Sequence, residues 1–165
     1  MSALFQSKKA LYGSVAALVV VLAALAWFLL SDREYNPMVL EGQRIVVTVH
    51  AAELDDVYGY QFHLNYNPNQ VEWAGSLTSK VEDITLIFSR SFNTYELVGA
   101  TMIGEREGVS GRNVEVAELV LIADMEAYLL DFDISISHVN VVRSDMEYLE
   151  DVEGWSLSFS VQEAE

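Results

Sequence analysis

The sequence predicts an all-β fold, an antiparallel β-sandwich of jelly-roll or immunoglobulin-like type, preceded by one N-terminal transmembrane helix. Three observations predict it. After residue 43, apolar side chains recur at every second position through segment after segment, the period of strands that are buried on one face and wet on the other. No stretch beyond residue 30 repeats its apolar residues at helical spacing. Residues 10–30, "ALYGSVAALVVVLAALAWFLL", carry no charge at all.

As a helix, that uncharged run rises about 31 Å, enough to cross a hydrocarbon core. Lys8 and Lys9 precede it, so positive charge inside orients residues 1–9 to the cytoplasm and everything after the span to the exterior. A cleaved secretory signal is the competing reading, because Ala24-Leu25-Ala26 has the small-x-small form of a cleavage site. Against it, the apolar run continues through Trp27 to Leu30. Residues 31–42 read as a short linker and 43–163 as the folded domain.

Composition narrows the function. The chain has 165 residues, 25 acidic and 9 basic side chains, and no cysteine. Both N-terminal lysines lie before the span, so the exported part carries 25 acidic against 7 basic groups, a net charge of −18. Binding nucleic acid requires clustered Lys and Arg, and that class is excluded. Disulfides, thiolate metal sites and a cysteine nucleophile are excluded with the missing cysteine.

The strands follow in order. "QRIVVTVH" at 43–50 places Ile45, Val47 and Val49 on one face. At 55–73, "DDVYGYQFHLNYNPNQVEW" sets Tyr58, Tyr60, Phe62, Leu64 and Tyr66 inward, against Gly59, Gln61, His63 and Asn65 outward. "ITLIFS" at 84–89 alternates likewise, while 95–104 and 114–123 are apolar on both parities and read as central strands. "YLLDFDISIS" at 128–137 predicts Leu130, Phe132, Ile134 and Ile136 inward, and His138 shares their parity. "GWSLSFSVQ" closes the domain with Trp155, Leu157, Phe159 and Val161 inward.

This order of segments resembles the cohesin domain of bacterial and archaeal surface and cellulosomal proteins, over about residues 43 to 161. The motifs that carry the resemblance are Val57-Tyr58-Gly59, Phe62, Tyr66-Asn67-Pro68 and Val71-Glu72, and then Ser110-Gly111 with Ala117-Glu118-Leu119. The resemblance implies a nine-stranded jelly roll without catalytic activity that grips a calcium-loaded dockerin on one flat sheet face. This chain has Gly59 and Gln61 where such domains often carry Asn and Asp, and Asn67 where they usually carry Asp.

The candidate partner-binding residues are Gln61, His63 and Asn65 on the outward row, together with Glu105. Carbohydrate binding is the alternative, with Tyr148 and Trp73 as stacking platforms; a subunit of a surface assembly built through strand edges is a third reading. No enzymatic activity, cofactor or metal is expected. The three histidines, His50, His63 and His138, have no metal-ligand spacing, and the pairs Asp55-Asp56, Glu82-Asp83 and Asp131/Asp133 lack the order of a calcium loop.

Overall fold

A computed structural model describes residues 36–104 and 107–162. In chain order the strands are β1 (Met38–Val39), β2 (Arg44–Tyr66), β3 (Val71–Ser79), β4 (Leu86–Ser91) and β5 (Tyr95–Thr101). They continue with β6 (Val109–Ala123), β7 (Ala127–Tyr128), β8 (Ile134–Arg143), β9 (Tyr148–Leu149) and β10 (Trp155–Gln162). Every pairing is antiparallel. Among the described residues no helix is long and apolar enough to cross a membrane; the expected span at 10–30 lies outside them.

The 23-residue strand β2 organises the fold. Its first half pairs with β6 on one side and β10 on the other, and its second half pairs with β5 and β8. Between the halves Asp56 takes a left-handed φ of 53°, and the ladders slip register on both sides of Val57. A left-handed residue and paired bulges are how a strand turns a corner. One hydrogen-bonded sheet is thereby folded over into two layers: sheet A, in the order β3–β6–β2–β10, and sheet B, in the order β4–β5–β2–β8–β9.

Asp56 holds that corner. Its carboxylate accepts from the Gly108 amide at 3.0 Å and from the Ser144 hydroxyl at 2.6 Å, and its own amide donates to Ser110 Oγ at 2.9 Å. The bend of β2 is therefore tied to the β5–β6 and β8–β9 loops. At the opposite end of the sandwich, Asn67 makes the turn from β2 to β3. Its side-chain oxygen accepts from the Asn69 amide at 3.0 Å, an Asx turn that Asn forms as Asp would.

The core lies between the layers. Ile45, Val47, Val49, Leu119 and Leu121 from sheet A meet Phe62, Leu64 and Val98 from sheet B, all fully buried. Each contributes about 1.5–3 kcal/mol relative to exposure. Trp155 closes the β10 side, its ring 5.4 Å from that of Tyr60, and the Tyr60 hydroxyl donates to the Val116 carbonyl at 2.8 Å. The inward row expected for Tyr60, Phe62, Leu64 and Tyr66 is buried as predicted; Tyr58 is half-buried, its hydroxyl donating to the Gly104 carbonyl at 2.6 Å.

Three expectations are corrected. The segment 128–137 is not one strand. β7 ends at Tyr128, a 3-10 turn occupies Leu129–Asp131, and β8 begins at Ile134. The turn advances the chain out of strand register, so Leu129 is buried and Leu130 is exposed rather than inward. His138, expected inward, is also exposed. Its backbone has φ 51° within a β-bulge: β8 inserts one extra residue between the partners of Gln61 and His63, which reverses the parity and turns the imidazole outward. Met38 and Val39, placed in the linker by the sequence, pair with Tyr128 and Ala127.

Candidate functional site

The outer face of sheet B is built from alternate residues of four adjacent strands. Ladder register brings Phe88 and Arg90 of β4, Leu97 and Gly99 of β5, Gln61 and His63 of β2, and Asn140 and Val142 of β8 onto one surface. In a domain this acidic, none of the outward strand positions of sheet B is an Asp or Glu among the described residues. The carboxylate of β5, Glu96, points the other way and is 1% exposed within the core.

Aromatic rings cross this face in a continuous row. Phe92 stacks on Tyr95 at 4.6 Å, Tyr95 on His63 at 4.3 Å, and His63 on His138 at 4.8 Å, all centroid to centroid and near parallel. The Arg90 guanidinium caps the row, 5.3 Å from the Phe92 centroid. Two parallel imidazoles do not converge their nitrogens on one point, and no cluster of three or more metal-ligating side chains occurs among the described residues. The row forms a platform of stacked rings on the outer face of sheet B.

Asn65 works inside this platform. Its amide donates to Ser137 Oγ at 2.9 Å, and that hydroxyl lies 3.0 Å from His138 Nδ1. The Ser137 hydroxyl thereby links the Asn65 amide to the His138 imidazole. Burial, and then the proximity of His138, holds the His63 pKa below the usual histidine value. His63 is therefore favoured in its neutral form at neutral pH.

Beside the row lies a groove of about 300 Å³ whose lining includes Gly59, Phe88, Gly99, Met146 and Tyr148. Two glycines make its depth. A Cβ on Gly99 would stand 2.4 Å from Cζ of Phe88, and one on Gly59 would stand 2.9 Å from the Ala100 carbonyl oxygen. The Phe88 ring lies down over the Gly99 backbone because no side chain is there. Phe88 is 52% exposed and Tyr148 50% exposed, so the groove opens between two wet aromatic walls.

The structure brings Gln61, His63 and Asn65 together on this surface and puts Tyr148 at its β9 margin. Trp73 is elsewhere, on β3 of sheet A, half-buried and packed against the core. Glu105 lies outside the described residues. Sequence reasoning missed Phe88, Gly99, Phe92, Tyr95 and His138. For His138 a signal existed: apolar residues of β8 fall at 134, 136, 139 and 141, and the step of three marks the bulge.

No protein-family profile and no curated protein matches the sequence. Among solved structures, the chain is similar to a cohesin module from a Clostridium perfringens family 33 glycoside hydrolase. The TM-score is 0.53 at 12% identity, over 76% of this chain and 93% of that one. The likeness establishes a cohesin-like sandwich fold.

Proposed function

We propose that this chain is a non-catalytic protein-binding module that holds its partner on the outer face of sheet B, tethered to the cell membrane by residues 10–30 with the domain outside. The observation that carries the reading is the face itself. A surface of stacked rings and a glycine-floored groove, with no Asp or Glu at its outward strand positions among the described residues of an otherwise strongly acidic domain, has the desolvatable centre of a protein interface. The acidic loop residues Asp145 and Glu147 beside it supply the polar rim.

A dockerin-type module is the partner that the cohesin-like fold favours. Full-length protein in nanodiscs is titrated by calorimetry with a calcium-loaded dockerin. Binding is expected, and is expected to weaken at least tenfold in the Gln61→Ala/His63→Ala/Asn65→Ala variant, while His50→Ala on the outer face of sheet A leaves it unchanged. Binding untouched by the triple variant removes this face from the reading; no binding of the wild type removes the dockerin. The second reading, glycan binding, rests on Phe88 and Tyr148, two half-exposed rings on one groove. Retardation in a polysaccharide affinity gel, lost in Tyr148→Ala, is expected only in that case.

A further inference from the structure

A second apolar surface lies well away from the sheet B face, at the end of the sandwich where the described chain begins. Met38 of β1 stands directly opposite Tyr128 of β7. Leu40 follows β1, Leu130 lies in the 3-10 turn that follows β7, and Met125 sits in the turn before β7. These five side chains are between 39% and 50% exposed, although Val39 and Leu129 beside them are buried at 0% and 3%. The small sheet is thus anchored to the core by one row of side chains and offers the other row to its surroundings. Scattered apolar residues on a surface need no explanation, but a cluster of this size marks a contact.

What covers it follows from where the chain comes from. The anchor strand is held firmly: the Leu129 amide donates to the Pro37 carbonyl at 2.9 Å, and the Leu130 amide donates to Asn36 Oδ1 at 2.8 Å. Only residues 31–35 separate Asn36 from Leu30, and six peptide steps reach about 20 Å when fully extended. A surface so close to the end of a membrane span meets lipid headgroups before it meets a diffusing partner. Met, Leu and Tyr are side chains suited to that boundary, Tyr above all, with an apolar ring and a polar tip.

We propose that the β1–β7 end of the domain rests on the lipid surface from which the chain emerges, with Met38, Leu40, Tyr128 and Leu130 as its contacts. The proposal rests on the reading of residues 10–30 as a membrane span. Glu41, Asp124, Glu126 and Asp131 border the patch, so the contact is apolar and shallow and suits a zwitterionic surface, not an anionic one. Resting on this end turns the sheet B face sideways to the bilayer and points the Asp56 corner away from it, which leaves the binding face accessible.

The absence of cysteine makes the test direct. Leu40→Cys, Leu130→Cys and, at the opposite end, Ile103→Cys are each labelled with an environment-sensitive fluorophore in the full chain and reconstituted into phosphatidylcholine vesicles. The expected result is blue-shifted emission at 40 and 130, quenched by lipid that is spin-labelled near its headgroup, with neither effect at 103. Water-like emission at 40 and 130 in vesicles that keep the protein through alkaline carbonate overturns the contact and leaves the span standing. A blue shift without lipid quenching means that a second copy covers the patch, and also overturns it. Release of the chain by carbonate overturns the span and the contact with it.

Discussion

The imidazoles of His63 on β2 and His138 on β8 stack 4.8 Å apart and 28° from parallel, two like titratable rings held together by a bulge. The His63 pKa lies below its ordinary value, through burial first and His138 second. A histidine with a depressed folded pKa binds its proton more readily when unfolded. Its contribution to stability is therefore complete above about pH 6.5 and is lost as pH falls through the folded value. Facing groups are Tyr95 and Leu97 of β5, Gln61 and Asn65 of β2, and Ser137 and Asn140 of β8, with Arg90 of β4 at the Phe92 end of the row. Thermal melts between about pH 7.5 and about pH 5 are expected to show a falling Tm. His63→Phe, which keeps a ring in the row and cannot be charged, is expected to flatten that dependence; an unchanged slope refutes the assignment.

Glu96 is 1% exposed, and its Oε2 has no hydrogen-bond partner among the described residues. A buried polar atom left unpaired costs about 1–3 kcal/mol. Glu96→Met keeps the approximate volume and removes that cost, so it is expected to stabilise the domain by about 1–3 kcal/mol. Urea denaturation with an unchanged m-value measures it. A loss of stability shows that Glu96 is engaged in a way that its burial conceals.

The alternation of β2 and β10 could be read from the sequence because each has one dry and one wet face, and side chains then follow a strict period of two. The same period misled at 128–137. Leu130, Phe132, Ile134 and Ile136 are evenly spaced, yet a 3-10 turn at Leu129–Asp131 breaks the row. Phe92 and Tyr95 could not be placed in the ring row beside His63, because they reach it through strand pairings set by register, a tertiary property; for His138 only the three-residue step from Ile136 to Val139 gave a signal. The expectation of a membrane span at 10–30 rests on length and charge alone, and those residues lie outside the described ones.

Asp56 joins three segments at the corner of β2 with a residue type that tolerates left-handed φ. Its pKa is lowered, chiefly by the Ser144 hydroxyl. The stability it gives is present above its unfolded value of 3.8 and is lost as pH falls through the lowered folded value. Asp56→Ala is expected to lower Tm more than Asp56→Asn, which keeps the turn preference and one acceptor. Hydrogen exchange is expected to quicken at Gly108 and Ser144 in both variants; exchange confined to residues 55–57 shows that the three segments are not coupled.

Gly99 and Phe88 form the floor and one wall of the groove as a unit, since the ring occupies the place of the missing side chain at 2.4 Å from where a Cβ would be. Gly99→Ala pushes the ring off and is expected to cost about 1–3 kcal/mol as overpacking. Phe88→Ala removes the obstacle, so the double variant is expected to be less destabilised than the sum of the singles, a coupling that a double-mutant cycle in thermal or chemical unfolding reads directly. Binding separates from stability in the same set. Displacing the ring in Gly99→Ala fills the groove, whereas Phe88→Ala widens it, so both are expected to weaken the partner while only the first destabilises the fold. Additive stabilities, or a partner indifferent to both changes, show that the groove is a by-product of packing and leave the ring row of His63 as the binding surface.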